Sequence, residues 1–97
     1  MTNEALTVSC EPHADGWRCV VRIGDDADAT EHDVLVDRET LGFLAPGAEP
    51  DDLVHESFRF LLEREPRTSI MHSFELPIIG RYFAEYEREI GRRMRGD

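Results

Sequence analysis

At 97 residues the chain suits one domain with a single core, and its 40% apolar and 33% charged residues exclude a disordered segment. No apolar run approaches the ~18 residues of a membrane span. A net charge of −10 argues against broad affinity for nucleic acid or anionic lipid.

The charge is uneven. Residues 1–37 hold nine acids against Arg18 and Arg22, residues 38–66 seven against Arg38, Arg59 and Arg64, and residues 67–97 five against six arginines. Every basic residue is Arg, which fits a GC-rich coding sequence or, as the alternative, adaptation to high salt. The first residues, Met1 to Thr7, show neither the basic nor the apolar region of a secretory signal. The expected compartment is therefore the cytoplasm, where two cysteines stay reduced.

In chain order, Ala5 to Cys10 alternates with period two, placing Leu6, Val8 and Cys10 on one face. Turn formers fill Glu11 to Gly16. Trp17 to Ile23 then alternates again, with Trp17, Cys19, Val21 and Ile23 inward and Arg18 and Arg22 outward. The two runs predict a β-hairpin. An acidic loop over Gly24–Ala29 leads to a third strand, Thr30–Asp37, with His32, Val34 and Val36 on the core side and Glu31, Asp33 and Asp37 toward water.

Two hairpin registers are open. An Asp15-Gly16 loop opposes Cys10 to Val21, whereas a loop over His13 to Gly16 sets Cys10 against Cys19. Pro12 cannot donate to a ladder, which favours the second. The sulfurs are then adjacent on the core face, and a cytosolic setting predicts two free, slowly reacting thiols.

Asp37 can cap a short helix over Arg38–Leu44, ended by Ala45-Pro46-Gly47. Pro50 suits a first helical position, followed by Asp51 and Asp52 at the favourable end of the helix dipole. The helix from there to Glu65 is the centre of the chain. Leu53, Val54, Ser57, Phe60 and Leu61 share one side, while Phe58 and Leu62 widen the apolar arc to ~200°, against ~100° for an ordinary surface helix. An arc that wide needs a partner on each side. Pro66 stops the helix. Thr68 or Ser69 caps a single turn through Ile70–Phe74, and Pro77 opens a helix with Leu76, Ile79 and Phe83 on one face. A last amphipathic stretch carries Tyr82, Tyr86, Ile90 and Met94, with Glu89 and Arg93 as an i, i+4 pair.

Catalytic spacing is missing. His55-Glu56 begins a His-Glu-x-x-His pattern, but Arg59 stands where the second histidine belongs. The single glycines build no phosphate loop, and no Ser sits in a Gly-x-Ser-x-Gly elbow. Cys10, Cys19, His13 and His32 could meet as metal ligands, yet their spacing lacks close pairs and free Cys on an inward face behaves as a small hydrophobe. None of His13, His32, His55 and His72 has a local carboxylate and nucleophile to make it a general base. Ser69 to Tyr86 is faintly similar to a helix-turn-helix, with Arg81 as the one base-reading group of its second helix and Arg92, Arg93 and Arg95 beyond.

The expectation is one α+β domain over residues 1–97. Residues 1–37 form a three-stranded antiparallel meander covered on one face by the central helix, and residues 38–97 form the helical part, with the C-terminal helices packed on that helix. No catalytic, cofactor or metal residue is assigned and no cofactor is expected. The functional expectation is a small non-catalytic cytosolic interaction or regulatory module. Its candidate interface is Tyr82, Phe83, Tyr86 and Ile90, with a protein partner or a second copy and no membrane partner, the alternative for these side chains being core packing against Leu61 and Leu62. The alternatives are an enzyme or enzyme subunit needing a partner or cofactor, and a helix-turn-helix-like nucleic-acid binder.

Overall fold

The structure, a computed structural model, describes residues 5–25 and 27–96. Met1 to Glu4, read above for a signal, and Asp26 of the acidic loop lie outside the described residues. The order is β1 (Leu6–His13), β2 (Gly16–Ile23), β3 (Thr30–Asp37), α1 (Arg38–Leu44), α2 (Pro50–Leu62), a 3₁₀ turn over Arg67–Ser69, β4 (Ser73–Glu75), α3 (Ile78–Tyr82) and α4 (Tyr86–Arg95). The α+β class and the layering agree with the sequence reading. The strand count does not: among the described residues the sheet has four strands in the order β1-β2-β3-β4, the last parallel to β3.

The hairpin takes the register in which Cys10 faces Cys19. Its loop is Ala14-Asp15, closed by His13 opposite Gly16, with Ala14 supplying the left-handed residue at φ 51°. Gly16 is a strand residue, not a loop residue. A Cβ there would meet the Val36 carbonyl oxygen at 2.1 Å, so only glycine lets β2 and β3 approach so closely. Pro12 pairs with Trp17 at a position whose backbone amide faces away from β2, so the missing N–H removes nothing from the ladder.

The cysteines correct the expectation of free thiols. Cys10 and Cys19 form a disulfide, with Cα atoms 4.0 Å apart. Directly opposed residues at a non-hydrogen-bonded site come that close without any bridge, so the register itself delivers the sulfurs to bonding distance. Expecting reduced thiols let a presumed compartment outweigh this geometry.

Asp37 caps α1 as expected, accepting from the Thr40 amide at 2.7 Å. Pro50 opens α2, which ends at Leu62 rather than Glu65. Its wide arc is used on both sides. Phe58 faces the sheet, 5.5 Å from the His32 ring and 6.0 Å from Phe74, while Phe60 faces the C-terminal helices, 5.8 Å from Phe83 and 5.3 Å from Tyr86. Both rings are fully buried. Two residues apart on a helix is ~200° around it, which is the geometry a sandwiched helix requires.

β4 stands where a helical turn over Ile70–Phe74 was expected. β3 would otherwise leave backbone groups unpaired along its outer edge. Instead the Asp33 amide donates to the His72 carbonyl at 2.6 Å and the Leu76 amide to Leu35 at 3.0 Å. Ile70, Phe74 and Leu76 turn inward as Met71, Ser73 and Glu75 turn outward. Ser69 to Tyr86 is therefore not a pair of helices about a break: its first part is extended backbone.

Candidate functional site

Tyr86 and Ile90, two of the four residues of the candidate interface, are core residues at 1% and 0% exposure. This corrects their placement on an outer patch. Helix α4 starts at Tyr86 after a break following α3, so its apolar side turns onto α2 and not outward with Tyr82. The Ser57 hydroxyl donates to the Leu53 carbonyl at 2.8 Å, so the Tyr86 hydroxyl, 2.6 Å away, donates to Ser57. Burial pushes the Tyr86 phenol well above its ordinary value, and it stays a neutral structural donor.

The outer members remain together. Tyr82 is 68% exposed and Phe83 half-buried. They form one lip of an apolar groove of about 410 Å³ whose floor and far wall include Leu61, Ile70, Met71 and Phe74. Met71, at 41% exposure, is the other exposed apolar side chain of its lining. The groove therefore joins the end of α2, the stretch before β4 and α3, three segments brought together only by the fold. Sequence reasoning missed Met71 and Phe74 as lining residues because it gave their segment a helical turn. It also passed over Phe43, 71% exposed on α1.

The other surfaces are chemically quieter. On the open face of the sheet, Arg18 holds Asp33 through two nitrogens and Arg22 reaches Glu31 at 3.3 Å. Between α2 and α4 a hollow is lined by Asp52, His55, Glu56 and Arg93. Its cation is spoken for, since Arg93 holds Glu89 at 2.9 Å and Glu63 at 2.6 Å. These contacts with Arg92 and Arg93 keep the Glu89 carboxyl down at about 2. Arg64 lies 3.6 Å above the Phe60 ring and bonds Glu85 at 3.0 Å, so the arginines of this face tie α4 to α2.

The residues weighed as metal ligands are dispersed in their roles. Cys10 and Cys19 are bonded to each other, His13 is exposed at the hairpin end, and His32 is buried with both ring nitrogens engaged. Among the described residues no three His, Cys, Asp or Glu side chains converge as metal ligands would. His55 lies 3.9 Å from Glu56, and His72 is exposed against β3. Among the described residues no helix is long and apolar enough to cross a membrane. Comparison with family models, with curated proteins and with solved structures found no match.

Proposed function

We propose that the chain is a small non-catalytic interaction or regulatory module whose docking surface is the groove edged by Tyr82 and Met71, with a second copy of the chain as its first occupant. The observation that carries this reading is Tyr82, a tyrosine 68% exposed that lines an apolar groove together with the exposed Met71. Tyrosine brings large contact area for little loss of rotamer freedom and anchors interfaces for that reason. A two-fold pairing makes each contact twice, so one exposed tyrosine per copy serves both grooves.

Sedimentation of the wild type and of Tyr82→Glu, at concentrations up to ~100 μM, tests this. The expected result is a dimer that the substitution dissociates without altering the circular dichroism spectrum. A wild type that stays monomeric removes the self-docking reading. The cytoplasm remains the proposed compartment, although the disulfide is of a kind that persists in oxidising surroundings. Counting thiols in protein quenched with acid at lysis decides between the two: two alkylatable thiols support the cytoplasm, and none places the protein elsewhere.

A further inference from the structure

His32 lies where β3 meets the segment that leads into β4, and both nitrogens of its ring are engaged. Nδ1 is 2.7 Å from the Met71 carbonyl, which can only accept, so Nδ1 carries the proton. Nε2, 3.0 Å from Thr30 Oγ1, then accepts from that hydroxyl. The surroundings hold the ring as neutral imidazole in one tautomer. It is 2% exposed, tilted against Phe58 and stacked on the His72 ring at 5.7 Å with 16° between planes. The exposed His72 is held in turn, its Nδ1 donating to the Glu31 carbonyl at 3.2 Å.

Among the described residues, the groups that contact the His32 ring, Met71, Thr30, Phe58 and His72, include no carboxylate. Val21 opposes His32 on β2, and Phe58 is the α2 side chain against it. Glu31 and Asp33, the nearest acids along β3, point to the opposite face of the sheet, where Arg22 and Arg18 hold them. From the turn before β4 comes a further cation, Arg67, which reaches Gly24 at the end of β2. The titratable side chain that faces His32 is the stacked His72.

We propose that protonation of His32 in mildly acidic conditions unlatches residues 70–76 from β3 and so removes one wall of the apolar groove. Burial lowers the His32 pKa, His72 lowers it further, and the Met71 carbonyl opposes them. The sign follows. With its folded value below the ordinary 6.5, the folded state binds fewer protons than the unfolded one. Stability from this site is complete above the ordinary value and is lost as pH falls through it toward the folded value. The consequence for docking rests on the proposed function, but the latch itself is read without any partner.

Amide hydrogen exchange on the oxidised full chain, compared at about pH 7.5 and about pH 5 after correction for intrinsic rates, tests the latch. The Asp33 and Leu76 amides, which bridge the seam, are expected to lose about tenfold in protection relative to the β1–β2 ladder. His72→Gln should reduce the loss and His32→Gln abolish it. Equal protection at both pH values, or a loss shared by the β1–β2 ladder, overturns the proposal. Ring NMR of the wild type gives a reading free of folding defects in the variants: His32 titrating at or above the free-histidine value of about 6.5 also overturns it. A monomeric protein with a pH-sensitive seam would remove the docking reading and leave the latch standing.

Discussion

The two ends of the sheet are built on different terms. β1 and β2 are joined by eight register pairs, a two-residue loop and a disulfide. β3 and β4 share three pairs, run parallel, and are separated in sequence by the whole of α1 and α2. Closing a short loop costs little entropy, so the hairpin needs only its own residues. The distant seam depends on α2 holding Phe58 where His32 and Phe74 can pack on it. One end is specified by neighbours in the chain and the other by a tertiary scaffold, and substitutions should separate them.

The largest effect is expected from α2. Phe58→Ala and Phe60→Ala should each cost roughly 3–5 kcal/mol, since each removes a fully buried ring. In native-state hydrogen exchange only Phe58→Ala should strip the seam amides selectively, because Phe60 faces the C-terminal helices. Equal local effects would mean that the seam does not lean on α2 through Phe58.

The disulfide should contribute about 2–3 kcal/mol, as expected for so short a closed loop. Urea midpoints of the oxidised protein and of Cys10→Ala/Cys19→Ala measure it, and the seam's response to pH should survive in the double variant. For the oxidised protein, thiol titration in denaturant should find no reactive sulfur until reductant is added and two afterwards. Next is the cap that ends β3. Asp37→Ala should cost about 1 kcal/mol in thermal unfolding at neutral pH. The Thr40 amide holds the Asp37 carboxyl below its ordinary 3.8, so the cap is complete above that value and weakens as pH falls through it. Arg59→Ala marks the floor: on the exposed side of α2 it should change the free energy of urea unfolding by less than about 0.5 kcal/mol.

Legibility in the sequence divided along the same line. Alternation around a turn exposed the hairpin, β3 was bounded correctly from its own pattern, and Asp37 and Pro50 announced their helices through local chemistry. The ~200° arc of α2 even foretold two packed sides. What lay hidden was decided by partners far along the chain. Ser73–Glu75 has too few residues to display a period, and its strand exists because β3 has backbone groups to satisfy. The groove was half legible: Tyr82 and Phe83 stood out as aromatics, while Met71 and Phe74 join them only through that same distant pairing. Tyr86 was misplaced because a continuous i, i+4 stripe was read across a break between α3 and α4. Had Ser57, the one polar residue on the apolar side of α2, been given a partner, it would have pointed to the Tyr86 hydroxyl.

The unpaired side of β1 carries one more consequence. Its outward amides belong to the even-numbered residues, and Pro12 has none to offer. The next, at Cys10, is already taken by the Asp51 carboxylate at the start of α2, 3.3 Å away. An incoming strand would thus find donors only at Leu6 and Val8, too short a template for stable extension of the sheet. The proline and the borrowed carboxylate leave this edge of β1 a poor template for a further strand.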